Sequence, residues 1–148
     1  MKPVTCGLVL ITPQNKILLV HSTNSSWKSW SFPKGMREEG ESSAEAAARE
    51  TFEETGLDFR GQTASFVDLG RHDYNKEKDA HFFLHYLIGS EAFYHDLACA
   101  SLFDDHGVPT PEIDGFRFVD FEEVPGWLSR SSIILFDKFD LTGVCNHV

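Results

Sequence analysis

The segment Ser42–Leu57, SSAEAAARETFEETGL, constrains the fold more than any other stretch of this chain. Ser42 and Glu45 stand at capping-box spacing, where the hydroxyl accepts an early backbone N–H and the glutamate reaches back to the N–H of the cap. Gly56 suits the left-handed residue that closes a helix. A helix is therefore expected from about Ser43 to Thr55, with Ala44, Ala47, Ala48 and Thr51 recurring along it at helical spacing. Side chains this small let a helix lie close against a sheet. The acids take another face. Glu53 lies about 60° and Glu54 about 40° from Glu50 around the helix axis, so three carboxylates enter one small volume. They do so near the C-terminus, where the helix dipole disfavours anions, and each like-charged neighbour costs roughly 0.2–0.5 kcal/mol. A merely solvated face would scatter its acids and favour the first turn. Late clustering suits a hard divalent cation that shares its shell with substrate phosphates. Arg49, four residues before Glu53, is placed to pair with it and hold its rotamer.

Around this helix the chain reads as strands. Residues 5–12 (TCGLVLIT) and 16–22 (KILLVHS) are β-rich and joined by a short turn, which predicts a hairpin. Residues 22–33 read as a Ser-rich loop with a short strand near Ser31–Phe32. Strands are expected at 62–70, 80–89 and 115–121, with 71–79 a charged loop or hairpin tip and 90–114 a long irregular stretch. Loops of that length inside a compact domain are often functional. A second helix is expected within 122–139, starting near Pro125–Trp127. Helices alternating with strands in this order predict one α/β domain over residues 1–148, a mixed sheet between helices.

A chain of 148 residues can bury a core. Its net charge of −10 argues against general nucleic-acid binding and against anionic membranes, though not against a phosphate-rich substrate whose charge is met by metal ions. Cys6, Cys99 and Cys145 show neither a pairing pattern nor zinc spacing, so free thiols are expected. The N-terminus lacks a long apolar run and a cleavage signal, and no stretch approaches the ~18 apolar residues of a membrane span. A cytoplasmic location is the expectation.

The spacing from Gly35 through Glu41 to Arg49-Glu50-Thr51-Phe52-Glu53-Glu54-Thr55-Gly56-Leu57 resembles the Nudix box, G-x5-E-x7-R-E-U-x-E-E-x-G-U with U apolar. Thr51 is the one departure, at an apolar position where its methyl can still pack. The box covers 23 residues, and the order of strands and helices around it agrees with a Nudix-type α/β/α sandwich. The resemblance implies magnesium-dependent hydrolysis of a pyrophosphate bond, with manganese as a substitute. It implies Glu50, Glu53 and Glu54 as metal ligands, joined by the backbone carbonyl of Lys34. It also implies Arg49 as a clamp on the glutamates and Glu41 as an orienting acid. For the general base the family uses either a box glutamate or an acid on a later loop. Glu112 stands where several members place such a glutamate, and Asp104, Asp105 and Asp114 compete with it.

Specificity must come from the flanks. Residues 30–35 (WSFPKG) resemble the lead-in of diadenosine-polyphosphate hydrolases and of some messenger-RNA decapping Nudix proteins. Residues 74–87 also resemble the polyphosphate hydrolases, and Tyr74, Lys76 and Lys78, with Lys34, become candidate phosphate contacts. Trp27, Phe93 and Tyr94 are candidates for stacking a base. Trp30, Phe82 and Phe83 read as core, and His21, His81 and His85 as core or edge residues. The lead reading is a dinucleoside-polyphosphate hydrolase. The alternatives are hydrolysis of a nucleoside triphosphate, an RNA cap or a diphosphoinositol polyphosphate. The acidic balance weighs against long RNA and the few basic residues against inositol polyphosphates. A non-catalytic binding module would be another class altogether, but such modules usually lose box glutamates and all are kept here.

Overall fold

In the computed structural model, which describes residues 2–141 and 144, the first strand, β1 (Val4–Ile11), is buried at all eight positions. A strand with both faces covered must be apolar throughout. It turns through residues 12–15 into β2 (Lys16–Ser22), forming the expected hairpin, with Ile11 opposite Ile17. Beyond that point the two strands diverge. Two short strands fill the gap, β3 (Trp30–Ser31) against β2 and β4 (Lys34–Met36) against β1, the latter pairing Gly35 with Cys6. The sequence reading has no β4, because three residues carry too little pattern to be seen without their partner.

Helix α1 (Ser43–Thr55) has the expected bounds and caps. Ser42 Oγ accepts from the Glu45 N–H, and Glu45 returns a bond to the Ser42 N–H. Gly56 takes φ 84°, a conformation open to glycine without strain. After a 3-10 turn at Thr63–Ser65, β5 (Val67–Asp73) and β6 (Asp79–Tyr86) form an antiparallel hairpin, and β6 runs parallel to β1. The strand expected at 62–70 is thus shifted toward the C-terminus, and the charged tip shrinks to 74–78.

The stretch 90–114 is not irregular throughout. A 3-10 turn spans Glu91–Phe93, and β7 (Leu102–Asp105) and β8 (Val108–Pro111) form a separate two-stranded sheet. Its two-residue turn is His106-Gly107, both at positive φ (52° and 86°), with Asp104 Oδ1 accepting the Gly107 N–H at 2.7 Å. Such hairpin turns demand left-handed residues, and His106 disguises the signal. Strand β9 (Ile113–Asp120) starts two residues before the expected 115 and lies antiparallel to β2. The single helix expected in 122–139 is replaced by a 3-10 helix over Phe121–Gly126 and α2 (Arg130–Phe136). Pro125 and Gly126 explain the break, since proline has no N–H to donate and glycine weakens a helix.

The seven strands other than β7 and β8 make one mixed sheet. On one face Val4, Cys6, Leu8, Leu10, Leu18 and Phe83 pack against Ala46 and Ala47 of α1. On the other, Val9, Ile11, Leu19, Phe32 and Phe82 pack against Val124, Leu135 and Phe136. The result is the expected α/β/α sandwich. Trp30, Phe82 and Phe83 lie in the core as expected. Cys6 and Cys99 are free thiols, and Cys145 lies outside the described residues. No helix among the described residues is long and apolar enough to cross a membrane.

Thr51 is wholly buried under the sheet, and its Oγ1 has no hydrogen-bond partner among the described residues. A buried hydroxyl without a partner costs about 1–3 kcal/mol. Thr51→Val, which keeps the shape, is expected to raise the melting temperature by roughly 2–4 °C per kcal/mol recovered. A lower melting temperature in a thermal scan would show that the hydroxyl is satisfied.

Candidate active site

Strand β4 and the last turns of α1 meet at Gly35. A Cβ on Gly35 would fall on the carboxylate of Glu50, so only glycine admits that side chain beneath the strand. One residue earlier, the Lys34 N–H donates to Glu54 Oε1 at 3.1 Å. The box glycine thus exists to bring the β4 backbone within reach of two glutamates.

Arg49 holds the other side. Its Nε and Nη2 donate to the two oxygens of Glu41 (2.7 and 3.0 Å), and its Nη1 to Glu50 (2.8 Å) and Glu53 (2.9 Å). Nη2 also donates to the Met36 carbonyl at 2.9 Å. One guanidinium therefore ties α1 to the loop before it and to β4, a use of the planar fork that no ammonium could copy. The bond from Arg49 holds Glu41 below the usual carboxylate range, and the bond to Glu41, followed by that to Glu50, raises the pKa of Arg49. Burial raises Glu50 and outweighs the pull of Arg49. Glu54, only 7% exposed, is pushed up by burial to about 8, against the opposing Lys34 N–H and ammonium. The negative charges of Glu50 and Glu112 add to that rise.

Glu112 is brought to this cluster by a backbone strap. The Ala100 and Ser101 N–H groups donate to the Glu53 carbonyl (2.7 and 3.2 Å), the Glu112 N–H donates to the Ser101 carbonyl (2.9 Å), and the Thr23 N–H donates to the Glu112 carbonyl (2.9 Å). Its carboxylate acts on both Glu50 and Glu54. The competing acids are engaged elsewhere. Asp104 caps its own turn, Asp105 accepts from Asn24 at 3.4 Å, and Asp114 lies 2.6 Å from His21 Nδ1.

Oxygen donors gathered on a glycine-lined backbone suit a hard divalent cation. A carboxyl as buried as Glu54 is easier to ionise beside one. As they stand, no three acidic, imidazole or thiol groups among the described residues are drawn together tightly enough to hold a metal. The reason is visible in the bonds: Arg49 occupies Glu50 and Glu53, and Glu54 faces the Lys34 N–H. Each of these bonds uses one oxygen of its carboxylate: Glu50 Oε1, Glu53 Oε2 and Glu54 Oε1.

The β5–β6 tip is tied to α2 rather than to the glutamates. The Tyr74 hydroxyl lies 3.3 Å from Ser131 Oγ, and the Lys78 ammonium sits 5.3 Å from the Tyr74 ring centroid. Lys76 rides on the same tip. The aromatic candidates separate by location. Phe93 and Tyr94 lie beside the Lys16–Glu91 ion pair at the hairpin end of β1, about five residues or ~16 Å from the Cys6–Gly35 pairing. Trp27 follows β2 at the Gly35 end of the sheet and is 68% exposed. His81 bonds Asp68, and His85 is buried against Phe59 and Phe66. Both ring nitrogens of His21 face acceptors, the Asp114 carboxylate and the Ser26 carbonyl (2.8 Å), a setting that favours the doubly protonated, charged ring. Burial opposes that charge, but the bonds to Asp114 and Ser26 outweigh it and raise the pKa. Trp127, which the sequence suggests only as the start of a helix, is delivered beside Trp30 by the 3-10 segment before it, a placement no local pattern announces.

The NUDIX domain family model matches residues 1–137. The chain is 46% identical to the m7GpppN-mRNA hydrolase dcap-2 of Caenorhabditis elegans over 56 residues, which are 37% of this chain and 7% of that protein. It is 32% identical to the RNA pyrophosphohydrolase of Actinobacillus succinogenes over 138 residues, 89% of this chain and 66% of that one. It thus spans less than two thirds of either relative. The crystal structure of a C. elegans Ap4A hydrolase binary complex superposes with a TM-score of 0.63 at 20% identity, covering 92% of this chain and 93% of that one, a likeness of fold.

Proposed function

The chain belongs to the NUDIX family of pyrophosphohydrolases, and from that premise we propose that it cleaves a dinucleoside polyphosphate with magnesium held by Glu50, Glu53, Glu54 and the Lys34 carbonyl. The observation that carries this reading is the convergence of buried Glu54, Glu50 on Gly35, and the strap-borne Glu112 around one volume. When bound, the cation neutralises phosphate charge and makes both phosphorus and water more reactive.

The protein's own groups do the rest. Arg49 orients Glu50 and Glu53, and Glu41 fixes Arg49 through two bonds. The Lys34 ammonium, already acting on Glu54, is the group proposed to meet a phosphate oxygen. Glu112 is the group proposed to take the proton from the attacking water. Tyr74, Lys76 and Lys78 remain proposed contacts for the distal phosphates, and Tyr74 reaches them by releasing Ser131.

The match to dcap-2 and to an RNA pyrophosphohydrolase favours a second reading, in which the diphosphate is at the 5′ end of an RNA. The net charge of −10 weighs against a long polyanion. A screen of diadenosine polyphosphates, nucleoside triphosphates, nucleotide sugars and capped RNA with magnesium, read by mass in oxygen-18 water, separates the two and identifies the phosphorus attacked. Efficient turnover of capped RNA without turnover of diadenosine polyphosphates would overturn the lead reading.

On the best substrate, Glu112→Gln is expected to lower kcat by roughly 10²-fold or more, the range for a general base, with KM little changed. A loss of only a few-fold, beside a large loss in Glu50→Gln, would return the role to the box.

A further inference from the structure

At the Gly35 end of the sheet lies a cleft of about 280 Å³ lined by Trp27, Lys28, Gly126 and Trp127. No carboxylate lines it, although the protein carries a net charge of −10. We propose that this cleft is a nucleobase site, with a base held between the two indoles and Lys28 at its rim. The assignment rests on the reading of the substrate as a nucleotide.

Both walls hang on one buried residue. Trp30, 9% exposed, donates its indole N–H to the Trp27 carbonyl at 2.8 Å and its backbone N–H to the Trp127 carbonyl at 3.2 Å. The His21 ring lies 2.8 Å from the Ser26 carbonyl, next to Trp27, and is itself held 2.6 Å from Asp114. Trp127 is braced by the Arg117 guanidinium 4.4 Å from its ring centroid and by the edge of Trp30 at 6.2 Å. The frame is thus set before anything binds, which lowers the cost of ordering a ligand. Within that frame the Trp27 indole is 68% exposed, an unusual place to leave so large an apolar surface unless something covers it.

The cleft also lies at the right reach. Trp30 bonds one wall and Lys34, four residues on, bonds Glu54. Four extended residues span at most about 14 Å, so a base in the cleft and a phosphate at the glutamates can belong to one molecule. A cavity of this size takes one base and its sugar rather than a whole dinucleotide. Indoles stack on any base, and stacking of this kind is worth a factor of roughly 5–150 per base.

The test compares adenosine 5′-monophosphate with ribose 5-phosphate, which has the same phosphate and no base, by calorimetry on the wild-type chain, Trp27→Ala and Trp27→Phe. The wild type should bind the monophosphate roughly tenfold or more tightly than ribose 5-phosphate. Trp27→Ala should erase that difference without changing ribose 5-phosphate binding, and Trp27→Phe should restore most of it. In turnover of a nucleotide substrate, Trp27→Ala should raise KM far more than it lowers kcat. Equal affinity of the wild type for the two ligands, or an advantage that survives Trp27→Ala, overturns the cleft. A concentration-dependent dimer that Trp27→Ala dissolves, with no preference for the base, would assign the face to a second copy of the chain and overturn it too. If no nucleotide is hydrolysed, the substrate reading fails alone, because the binding comparison needs no turnover.

Discussion

Arg49→Ala should cost about 2–4 kcal/mol of stability, a fall in melting temperature of roughly 5–15 °C. The guanidinium serves three carboxylates and a carbonyl, and its side chain is only 20% exposed. Removing it deprives Glu41 and Glu50, themselves 18% and 14% exposed, and Glu53 of the guanidinium they share. Losing one partner of a buried pair is far more costly than losing a surface pair; the partial exposure here places the expected loss toward the lower part of that range. Arg49→Lys should recover little, since one ammonium cannot span acceptors on Glu41, Glu50, Glu53 and Met36. Millimolar magnesium should raise the melting temperature of Arg49→Ala more than that of the wild type, because the stranded carboxylates are then freer to turn toward a cation. Thermal melts of the three proteins with and without magnesium decide this. A change under about 2 °C in Arg49→Ala would mean that the network contributes no more than a surface pair.

The same residue marks how much was readable in advance. The ties of Arg49 to Glu50 and Glu53 and the capping box at Ser42 and Glu45 are neighbours in sequence, and helical geometry alone places them. The central strands announce themselves by continuous burial, as in Val4–Ile11. What stayed hidden depends on contacts between distant residues. The three residues of β4 become a strand only because Cys6 pairs with Gly35. The β7–β8 hairpin reads as irregular in the sequence because His106 stands where Asn or Asp would signal its turn. The break between the 3-10 segment and α2 was written in Pro125 and Gly126, yet the apolar residues beyond them drew the expected helix too far. His21 and Asp114 lie 93 residues apart, and Trp127 reaches Trp30 across the sheet, so neither pairing has a local signature. The glutamate cluster and Trp27 as a stacking candidate are therefore legible in the sequence, and the pairing of Trp27 with Trp127 across one cleft is not.

Glu54→Gln should remove hydrolysis while making the metal-free protein more stable at alkaline pH. The carboxyl is buried and accepts only the Lys34 N–H among its described bonds, an interaction that an amide oxygen can keep. Its pKa of about 8 in the folded chain lies above the value of an unfolded glutamate, near 4.3. Between those values the folded state binds the extra proton, so stability falls as pH rises from about 4.3 to 8 and levels off beyond. The accumulated cost is on the order of 3–5 kcal/mol by pH 9. Glutamine has no charge to bury. In the presence of a chelator, wild type and variant should melt alike near pH 5, and the variant should melt higher above pH 8. With millimolar magnesium the alkaline decline should shrink in the wild type and stay absent in the variant. Activity should fall by roughly 10²-fold or more, the scale for losing one preorganised electrostatic group. Parallel melting curves across this pH range would show that the carboxylate is not the buried charge assigned here, and full activity would remove it from the site. The expected pairing of greater stability with lost turnover is what a site built for a cation requires: a carboxylate kept where the fold alone would rather have none.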